Sequence, residues 1–255
     1  MKIATFNING INKRLPNLLA WLVAEVPDVV CLQELKAEQS AFPENALKDA
    51  GYQAVWQGQK TWNGVAILAR GAVPIVTRTE LTGDPGDKQS RYIEAAVSGV
   101  IIGCLYLPNG NPQPGPKFDY KLAWFERLIA HADTLIAADV PAVLAGDFNV
   151  APTGLDIYPT KSWSKDALLQ PESRAAFGRL IERGWTDAIC TLHPDERIYT
   201  SGIISGDGGR DAGLRLDHLL LSPGFAERLV NAGVDKAVRD AKGASDHAPA
   251  RIVLD

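Results

Sequence analysis

The sequence predicts a mixed α/β fold in which helices cover β-sheets. Short apolar runs rich in β-branched residues, such as VVCLQ and VIIGCLYL, indicate strands. Longer stretches with apolar residues three and four positions apart indicate amphipathic helices, and they lie between some of the strand-like runs. The chain has 255 residues, of which 46% are hydrophobic, and this suffices for a single domain over residues 1–255 with a sizeable core.

The predicted strands run along the whole chain. They are, in order, KIATF, DVVCLQ, GVAILA, YIEAAV, VIIGCLYL, AVLAGD, LRLDHLLLS and ARIVL. The first predicted helix, LPNLLAWLVAEV, has Pro16 near its first turn and an apolar face of Leu18, Leu19, Leu22, Val23 and Val26. A second helix is predicted over DYKLAWFERLIAHADTLIAAD. A third, PESRAAFGRLIERGW, is expected to open at Pro171 and stop at Gly184.

Several features favour a cytoplasmic protein with no membrane partner. No apolar run is long enough to cross a bilayer, and MKIATFNING turns polar too early for a secretory signal peptide. The cysteines, Cys31, Cys104 and Cys190, are an odd number in mainly apolar surroundings. This favours buried, reduced thiols over disulfides or metal ligands.

The net charge of −4 argues mildly against a nucleic-acid partner, because strong nucleic-acid binders are often basic overall. It does not exclude one. A site that gathers carboxylates around a metal lowers the net charge, while a basic rim can still contact phosphates.

Polar side chains directly follow many of the predicted strands. They are Asn7, Glu34, Tyr106, Asn109, Asp147, Asn149, Asp246 and His247. Taken singly, each is better explained as a turn former, a solvated loop residue or a structural side chain. Strand ends share a rim of a sheet, so we expect the set to converge. Carboxylates and carboxamides together with a tyrosine and a histidine suit a hard cation and a phosphate group.

Ordered motifs then give a family resemblance over nearly the whole chain. They are FNINGI, VVCLQELK, GQKTWNGVAIL, YLPNG, GDFNVAPTGLDIY, GWTDA, GLRLDHLLLS and SDHAPARIVL. In this order they resemble the bacterial exonuclease III family of abasic-site endonucleases. The resemblance implies the four-layered α/β sandwich shared with DNase I, in which two β-sheets pack face to face with helices outside.

The resemblance also implies a metal site. The expected ion is Mg²⁺, for which Mn²⁺ can substitute, since Mg²⁺ takes oxygen ligands and keeps several waters. Glu34 matches the family's LQE and is the first choice of ligand. The other residues expected at the metal site are Asn7, Asp147, Asn149, Asp246 and His247. Whether one ion or two bind is open.

Catalytic roles follow from the same resemblance. Asp147 and Asn149 stand two apart in GDFN, so in an extended segment they point to the same side. Asp147 would activate the attacking water or protonate the leaving group, and Asn149 would hydrogen-bond the phosphate. His247 matches the histidine that faces the scissile phosphate, and Asp217 matches the aspartate that orients it. Tyr106 matches a tyrosine that reaches the phosphate. Asp147 and His247 are both candidates for the general base.

Three further residues are candidates for contacts with DNA. Asn109 matches a polar contact near the phosphate, and Lys60 and Arg91 are candidates for the DNA backbone. His218 is left outside the site, because it follows Asp217 in a predicted strand and should face the other way.

One segment, Ser201–Gly209, departs from the family pattern. SGIISGDGG stands where relatives carry an aromatic run that helps form the pocket for a flipped-out abasic sugar. Two explanations are open. A true Gly-rich segment would leave a degenerate member that binds DNA with impaired abasic-site selectivity. A local frameshift is the other, because its codons, regrouped by one base, permit Phe-Trp-Asp-Tyr.

Other enzymes of the same superfold are the main rivals. Inositol-phosphate phosphatases and sphingomyelinases share elements like GDFN and SDH, but are not expected to combine them with LQE, GQK, YLPNG and LRLDH. The sequence therefore favours a monomeric, Mg²⁺-dependent DNA-repair phosphodiesterase. It should cut duplex DNA 5′ to abasic sites and act as a 3′–5′ exonuclease that also cleans 3′ ends, in an undetermined balance.

Overall fold

The chain folds into two six-stranded sheets with helices on their outer faces. The computed structural model describes residues 1–159, 163–204 and 211–255. The strands are β1 (Lys2–Asn7), β2 (Val29–Gln33), β3 (Tyr52–Gln57), β4 (Val65–Arg70), β5 (Ile75–Arg78), β6 (Tyr92–Val97), β7 (Val100–Tyr106), β8 (Ala142–Asp147), β9 (Thr186–Asp187), β10 (Ser201–Ile204), β11 (Asp211–Leu214), β12 (Asp217–Leu221), β13 (Leu229–Val234) and β14 (Ala250–Leu254). The α-helices are α1 (Ile11–Glu25), α2 (Glu44–Asp49), α3 (Pro116–Ala137), α4 (Pro171–Glu182), α5 (Ala188–Leu192) and α6 (Pro223–Ala226), and 3₁₀ turns cover Gln39–Ala41, Ala167–Leu169 and Lys236–Asp240.

Sheet I has the strand order β13-β14-β1-β2-β4-β3, and sheet II has the order β5-β6-β7-β8-β12-β9. Strands β1 and β2 are parallel, as are β7 and β8, and the other neighbours in these sheets are antiparallel. Strands β10 and β11 form a separate antiparallel pair. Because β1 and β2 are parallel, both end at the same edge of sheet I, and β7 and β8 likewise end at the same edge of sheet II. The polar residues at these strand ends collect there.

Alternation of side chains along the strands builds three apolar interfaces between four layers. In β2, Val29 and Cys31 point into the core between the two sheets, whereas Val30 and Leu32 point to the helical side of sheet I. In β8 the inward residues include Val143, and the outward ones pack under α3 and α4. The prediction of a four-layered α/β sandwich is confirmed.

The predicted helices are confirmed as elements, but the face of the first was partly wrong. Helix α1 starts at Ile11, so Pro16 lies inside the helix rather than near its first turn. It buries Leu18 against sheet I, while Val23 is 72% exposed on another face. Val26 is the left-handed C-cap with φ of 47°, and it is also exposed. The seam that contacts the sheet therefore does not include every apolar residue of the segment.

The cysteines are free thiols, as expected, but only two of them are buried. Cys31 and Cys104 lie in the core between the sheets, whereas Cys190 is exposed. Helix α5 turns Ala188 and Ile189 into that core, and the next residue faces outward. Partial burial of the sulfur atom and the charge of Asp187 raise the pKa of the Cys190 thiol, so it remains protonated at neutral pH.

The parity of the strands places their last residues on one side. Asp147 has the same parity as Val143, and Asn7 the same as Ile3, so both face the space between the sheets at its open end. Asp217 lies opposite Asp147 in the register of β12 and β8. This end of the sandwich holds a cluster of polar side chains.

Among the described residues, no helix is both long and apolar enough to cross a membrane.

Candidate active site

Asn7 connects the polar ends of the two sheets. Its side chain is fully buried at the end of β1, and its Nδ2 donates to Glu34 Oε1 at 3.1 Å and to Asp147 Oδ2 at 3.0 Å. One amide group thus lies between a carboxylate from sheet I and a carboxylate from sheet II. The NH₂ group of Asn7 carries two hydrogens, so it can donate one to each carboxylate.

Glu34 follows β2 in a left-handed conformation with φ of 52°. Its Oε1 accepts a hydrogen bond from Tyr106 Oη at 2.7 Å, and its Oε2 lies 2.9 Å from Lys36 Nζ. Burial opposes ionisation, but these bonds together with that from Asn7 lower the pKa of Glu34. Burial and the nearby carboxylates raise the pKa of Tyr106 far above its usual value, so the phenol stays a donor.

Asp147 has the opposite electrostatic balance. It is 2% exposed at the end of β8, and its Oδ1 accepts the backbone N–H of Asn149 at 2.8 Å. Burial, with the charge of Asp217, raises its pKa to about 7, while His247 opposes the shift. A carboxyl group with this pKa exchanges protons readily at neutral pH.

Asp217 and His247 form a buried pair beside Asp147. Asp217 Oδ2 lies 2.7 Å from His247 Nδ1, and the His247 Nε2 lies 4.0 Å from Asp147 Oδ2. Burial lowers the pKa of His247, but the negative charges of Asp217, Asp147 and Asp246 prevail and raise it to about 10. The imidazole is therefore a cation at neutral pH. Its Nε2–H points toward a carboxylate that is too distant to satisfy it.

Asn149 and Asn109 lie on the two loops that follow β8 and β7, and their side chains bond each other beside Asp147. Asn149 has φ of 47°, donates from Nδ2 to Leu107 O at 2.8 Å, and accepts at Oδ1 from Asn109 Nδ2 at 3.2 Å. Asn109 itself is exposed. Below them Lys121 of α3 is fully buried and donates from Nζ to Asn109 O at 3.1 Å and Asn149 O at 2.5 Å. One lysine thus fixes the two loops that follow β7 and β8.

Asp246 is connected to the cluster at the surface. It is exposed, and its Oδ1 accepts from Asn9 Nδ2 at 2.8 Å. The Oδ1 of Asn9 accepts from Lys36 Nζ at 2.6 Å, and Lys36 is the ion-pair partner of Glu34. Partial burial of its carboxylate opposes ionisation, yet the charge of His247 and the hydrogen bond from Asn9 lower the pKa of Asp246. A chain of polar contacts thus joins Asp246 to Glu34.

The two basic residues expected to contact DNA differ in placement. Arg91 donates from Nη1 to Tyr106 O at 3.1 Å, and its guanidinium lies 4.9 Å from the centre of the Tyr106 ring. Lys60 is exposed in the segment between β3 and β4, outside the hydrogen-bonded cluster of the described residues. The nearby Trp62 is 69% exposed, with Lys36 Nζ 4.7 Å from its ring centre.

Comparison with known proteins decides the family. The profile of the Endonuclease/Exonuclease/phosphatase family matches residues 4–247. The chain belongs to this family. Exodeoxyribonuclease III of Haemophilus influenzae is 34% identical, with 98% of each chain covered. An AP endonuclease from Archaeoglobus fulgidus has a TM-score of 0.94 at 36% identity, covering 100% of this chain and 99% of that one. The 3′ phosphatase NExo from Neisseria, bound to a product DNA hairpin, has a TM-score of 0.94 at 40% identity, with the same coverage. The resemblance to the exonuclease III group is confirmed.

Two sets of groups could hold a metal in this Endonuclease/Exonuclease/phosphatase family member. Asp147, Asp217 and His247 offer ligand atoms that all lie within 4.8 Å of one another. However, Asp217 Oδ2 and His247 Nδ1 already bond each other. The oxygen-rich set of Glu34, Asp147, Asn7 and Asp246 is better suited to a hard cation. Among the described residues, the buried carboxylates Asp147 and Asp217 have one cation, His247, beside them, and Asp217 Oδ1 has no partner. The site therefore fits a bound divalent cation.

Sequence reasoning missed two residues of the site. Lys121 sits in a helical pattern where a lysine normally faces solvent, and nothing in the sequence marks it as buried. Asn9 stands two residues after Asn7 in FNINGI, and its backbone N–H donates to Asn7 Oδ1 at 3.1 Å. Its place in the same motif as Asn7 was an available signal. His218 faces away from the site, as predicted, and its Nε2 lies 3.1 Å from Val150 O.

Proposed function

We propose that this protein is a divalent-cation-dependent DNA-repair nuclease that acts as a monomer, as a single domain over residues 1–255. Mg²⁺ is its natural ion, and its substrates are duplex DNA with abasic sites, cut on the 5′ side, and 3′ ends. Relatives named exodeoxyribonuclease III, AP endonuclease and 3′ phosphatase support this nuclease activity. The observation that carries the proposal is the convergence of Glu34 and Asp147 with the Asp217–His247 pair at one end of the sandwich.

The cation would be held by the oxygen-rich end of the site. Glu34 is the principal ligand, with Asn7 and Asp246 beside it, and Asp147 and Asn149 within the same polar wall. A bound Mg²⁺ would neutralise charge on the phosphate and on the leaving oxygen. Tyr106 donates to Glu34, which orients this carboxylate toward the site.

We assign the general base to Asp147 and the phosphate contact to His247. The pKa of about 7 lets Asp147 take a proton from the attacking water. As the water oxygen bonds to phosphorus, the bond from phosphorus to the leaving 3′ oxygen breaks, and this oxygen takes a proton from solvent. His247, with a pKa of about 10, stays protonated and donates from Nε2 to a phosphate oxygen. Asn149 stabilises the same phosphate through its carboxamide.

DNA would approach across the rim that carries Arg91 and Asn109. Arg91 is held against Tyr106 and keeps part of its guanidinium for a phosphate of the backbone. Asn109 is exposed beside Asn149 and contacts the same strand. Lys60 is assigned a weaker contact farther along the DNA, since it is exposed and lies outside the polar cluster.

Cleavage of a duplex that contains one abasic analogue tests the proposal. Nicking should require Mg²⁺, stop in EDTA, and fall by about 10³-fold in Asp147→Asn and in Glu34→Gln. Asp139→Asn, at an exposed turn after α3, is the matched control and should cut at the wild-type rate. Metal-independent nicking, or no nicking of any DNA substrate by the wild-type chain, would overturn the proposed function.

A second candidate is a nuclease with impaired abasic-site selectivity, and one placement favours it. Ser201 pairs with His247 in an isolated β-bridge, and Gly202 N donates to Asp246 O at 3.1 Å. Gly202 and Gly213 face each other across β10 and β11, where a Cβ on Gly213 would lie 2.1 Å from Ser201 O. The Gly-rich segment thus begins directly beside the site. Residues 205–210, and so most of Ser201–Gly209, lie outside the described residues.

The ratio of two rates separates these candidates. The selective enzyme nicks abasic duplex much faster than it removes a 3′ nucleotide from undamaged duplex. The impaired form shows similar rates for both, and a chain with Phe-Trp-Asp-Tyr in place of Ser201–Ile204 recovers selectivity. Resequencing the gene across Ser201–Gly209 tests the frameshift directly. Codons that cannot be regrouped by one base exclude it.

A further inference from the structure

Asn63 holds the turn that carries Glu34, although it lies outside the polar cluster described above. It is 6% exposed in the segment between β3 and β4, and its backbone carbonyl accepts from Lys36 N at 3.0 Å. The next carbonyl, of Gly64, accepts from Leu35 N at 3.2 Å. Glu34 and Lys36 have φ values of 52° and 49°, a left-handed conformation that such side chains disfavour. The bonds to this segment therefore stabilise a costly turn.

The segment that contains Asn63 and Gly64 packs closely against the turn at Glu34. Gly64 has φ of 105°, and a Cβ at this position would lie 2.8 Å from Leu35 Cβ. Only glycine allows this close approach without a shift of the backbone. Asn63 is consequently held at a fixed distance from the Glu34 turn.

The side chain of Asn63 connects the same segment to the strand that begins after Arg91. Its Nδ2 donates to Gln59 Oε1 at 3.0 Å and to Gln89 Oε1 at 3.2 Å. Gln59 Oε1 also accepts from Ser90 N at 2.8 Å, and Gln89 Oε1 accepts from Arg91 Nε at 2.8 Å. The same amide therefore holds both glutamines.

The orientation of these amides follows from donors that cannot be reversed. A backbone N–H and a guanidinium N–H only donate, so Gln59 and Gln89 must present oxygen to Ser90 and Arg91. Those same oxygens face Asn63, which must then present its NH₂ group. Asn63 Oδ1 has no partner among the described residues, so its donor side makes the contacts.

These contacts close a ring around one side of the site. Arg91 contacts the backbone and the ring of Tyr106, and Tyr106 donates to Glu34. From Glu34 the backbone leads through Lys36 back to Asn63. A shift at any member of this ring moves the guanidinium relative to the Glu34 carboxylate.

We propose that Asn63 is a positioning residue that sets Arg91, through Gln89, at the correct distance from the Glu34 end of the site for one DNA phosphate. The inference rests on the DNA-cleaving function proposed above. Without the amide donor, Gln89 loses one of the two bonds that fix its oxygen, and Arg91 Nε loses an oriented acceptor. The guanidinium then turns away from the position in which it meets the phosphate.

Steady-state kinetics of Asn63→Ala test the inference. KM for duplex DNA should rise about 5- to 20-fold while kcat changes less than about 3-fold, since a binding contact is lost and the base and cation site remain. The slope of log KM against log salt concentration should fall by about one, as expected when one phosphate contact is lost. The double variant Asn63→Ala/Arg91→Ala should bind DNA no more weakly than Arg91→Ala alone.

Three control variants separate positioning from simple loss of stability or charge. Ser222→Ala removes a buried hydroxyl that bonds Ala142 and Val140 at the opposite end of sheet II, and should leave KM and the salt slope unchanged. Asn63→Asp keeps the shape but turns an acceptor toward Gln59 and Gln89, so it should resemble or exceed Asn63→Ala. Asn45→Asp introduces the same charge on exposed α2 and should change neither quantity.

An NMR measurement decides the inference even if the chain cuts no DNA. In the free protein the Arg91 Nε–H signal should be resolved and slow to exchange, and Asn63→Ala should move it to the position of a free arginine with fast exchange. A wild-type chain with no nuclease activity would sink the proposed function and leave this readout valid. An Arg91 signal unchanged in Asn63→Ala, or additive effects in the double variant, would overturn the positioning role.

Discussion

Two neighbouring residues of β12 belong to buried histidine–aspartate pairs of opposite kinds. Asp217 faces the space between the sheets and lies 2.7 Å from His247 Nδ1. His218 faces the helical side of sheet II, where its Nδ1 lies 3.1 Å from Arg215 Nη1 and 3.4 Å from Asp187 Oδ2. Arg215 donates to both oxygens of Asp187 at 2.9 and 2.7 Å. The residue types are alike, but among the described residues an arginine contacts the second pair alone.

The arginine decides what each pair can do. Burial opposes ionisation of Asp187, but the charge of Arg215 prevails and holds its pKa well below the usual value, and His218 Nε2 is occupied by Val150 O at 3.1 Å. The polar atoms of Asp187 and His218 are thus bonded to other groups of the protein. Among the described residues, His247 has no neighbouring cation and its Nε2 has no partner nearer than Asp147 Oδ2 at 4.0 Å, and the pKa of His247 is raised to about 10. An incomplete set of partners leaves a donor for substrate.

The same substitution in each pair should give opposite results, and the larger effect is on catalysis. Asp217→Asn removes the charge that keeps His247 protonated, so kcat should fall by about 10²- to 10³-fold. Stability should fall less than in Asp187→Asn, because the lost attraction between Asp217 and His247 is offset by relief of the repulsion between two neighbouring buried carboxylates. Single-turnover cleavage and urea unfolding check the two parts. A fall in stability that accounts for the lost activity would show that this pair, too, is structural.

Asp187→Asn should instead damage the fold. It leaves Arg215 buried with Asp156 as its remaining carboxylate partner, and such a loss costs about 3–5 kcal/mol. At temperatures where the variant is folded, kcat should stay within about 3-fold of wild type. Thermal unfolding followed by circular dichroism, together with the cleavage assay, measures both. A loss of kcat as large as that of Asp217→Asn would refute the division into a catalytic and a structural pair.

The sequence predicted one pair and not the other, for a physical reason. His247 belongs to the polar residues beside strand ends that were expected to converge, whereas Asp217 was assigned to the site through the family resemblance of LRLDH. The cluster of Arg215, Asp187 and Asp156 collects residues from three distant segments. Each lies in one of the family motifs, but no motif indicates that the three side chains pair with one another. Long-range pairing of buried charges is set by packing that sequence periodicity does not encode.

The same limit applies to the fold. Strands whose two faces are both buried, such as β2 and β8, were predicted because they read as continuous apolar runs. Strand β5 was missed, since it is a largely exposed edge strand of four residues. Lys121 was missed at the site because its burial depends on two backbone carbonyls that approach only in the folded chain.

Stability against pH should distinguish the pairs in the metal-free protein. The pKa of His247 is raised from 6.5 to about 10, so its protonation stabilises the fold below pH 6.5, and this contribution is lost as the pH rises through 10. The pKa of Asp187 is lowered from 3.8, so its contribution is present above that pH and is lost in stronger acid. Urea unfolding in EDTA should show wild type weakening between about pH 7 and about pH 10, and Asp217→Asn should flatten this fall. An equal alkaline fall in both proteins would contradict the origin assigned to it.

A third buried pair extends the comparison and carries the smallest expected effect. His131 Nε2 lies 2.6 Å from Glu94 Oε2, and Tyr92 Oη and Thr77 Oγ1 donate to the same carboxylate at 2.8 and 2.7 Å. Burial opposes its ionisation, but these bonds lower the pKa of Glu94.

Because its partners are complete, this pair should behave like the one at Asp187. Glu94→Gln keeps the shape and weakens charge-assisted bonds, so it should cost about 2 kcal/mol of stability and leave kcat and KM unchanged. Glu126→Gln, at an exposed ion pair on α3, is the matched control and should cost less than about 1 kcal/mol. If Glu94→Gln slowed cleavage while remaining folded, completeness of partners would no longer separate structural from catalytic pairs.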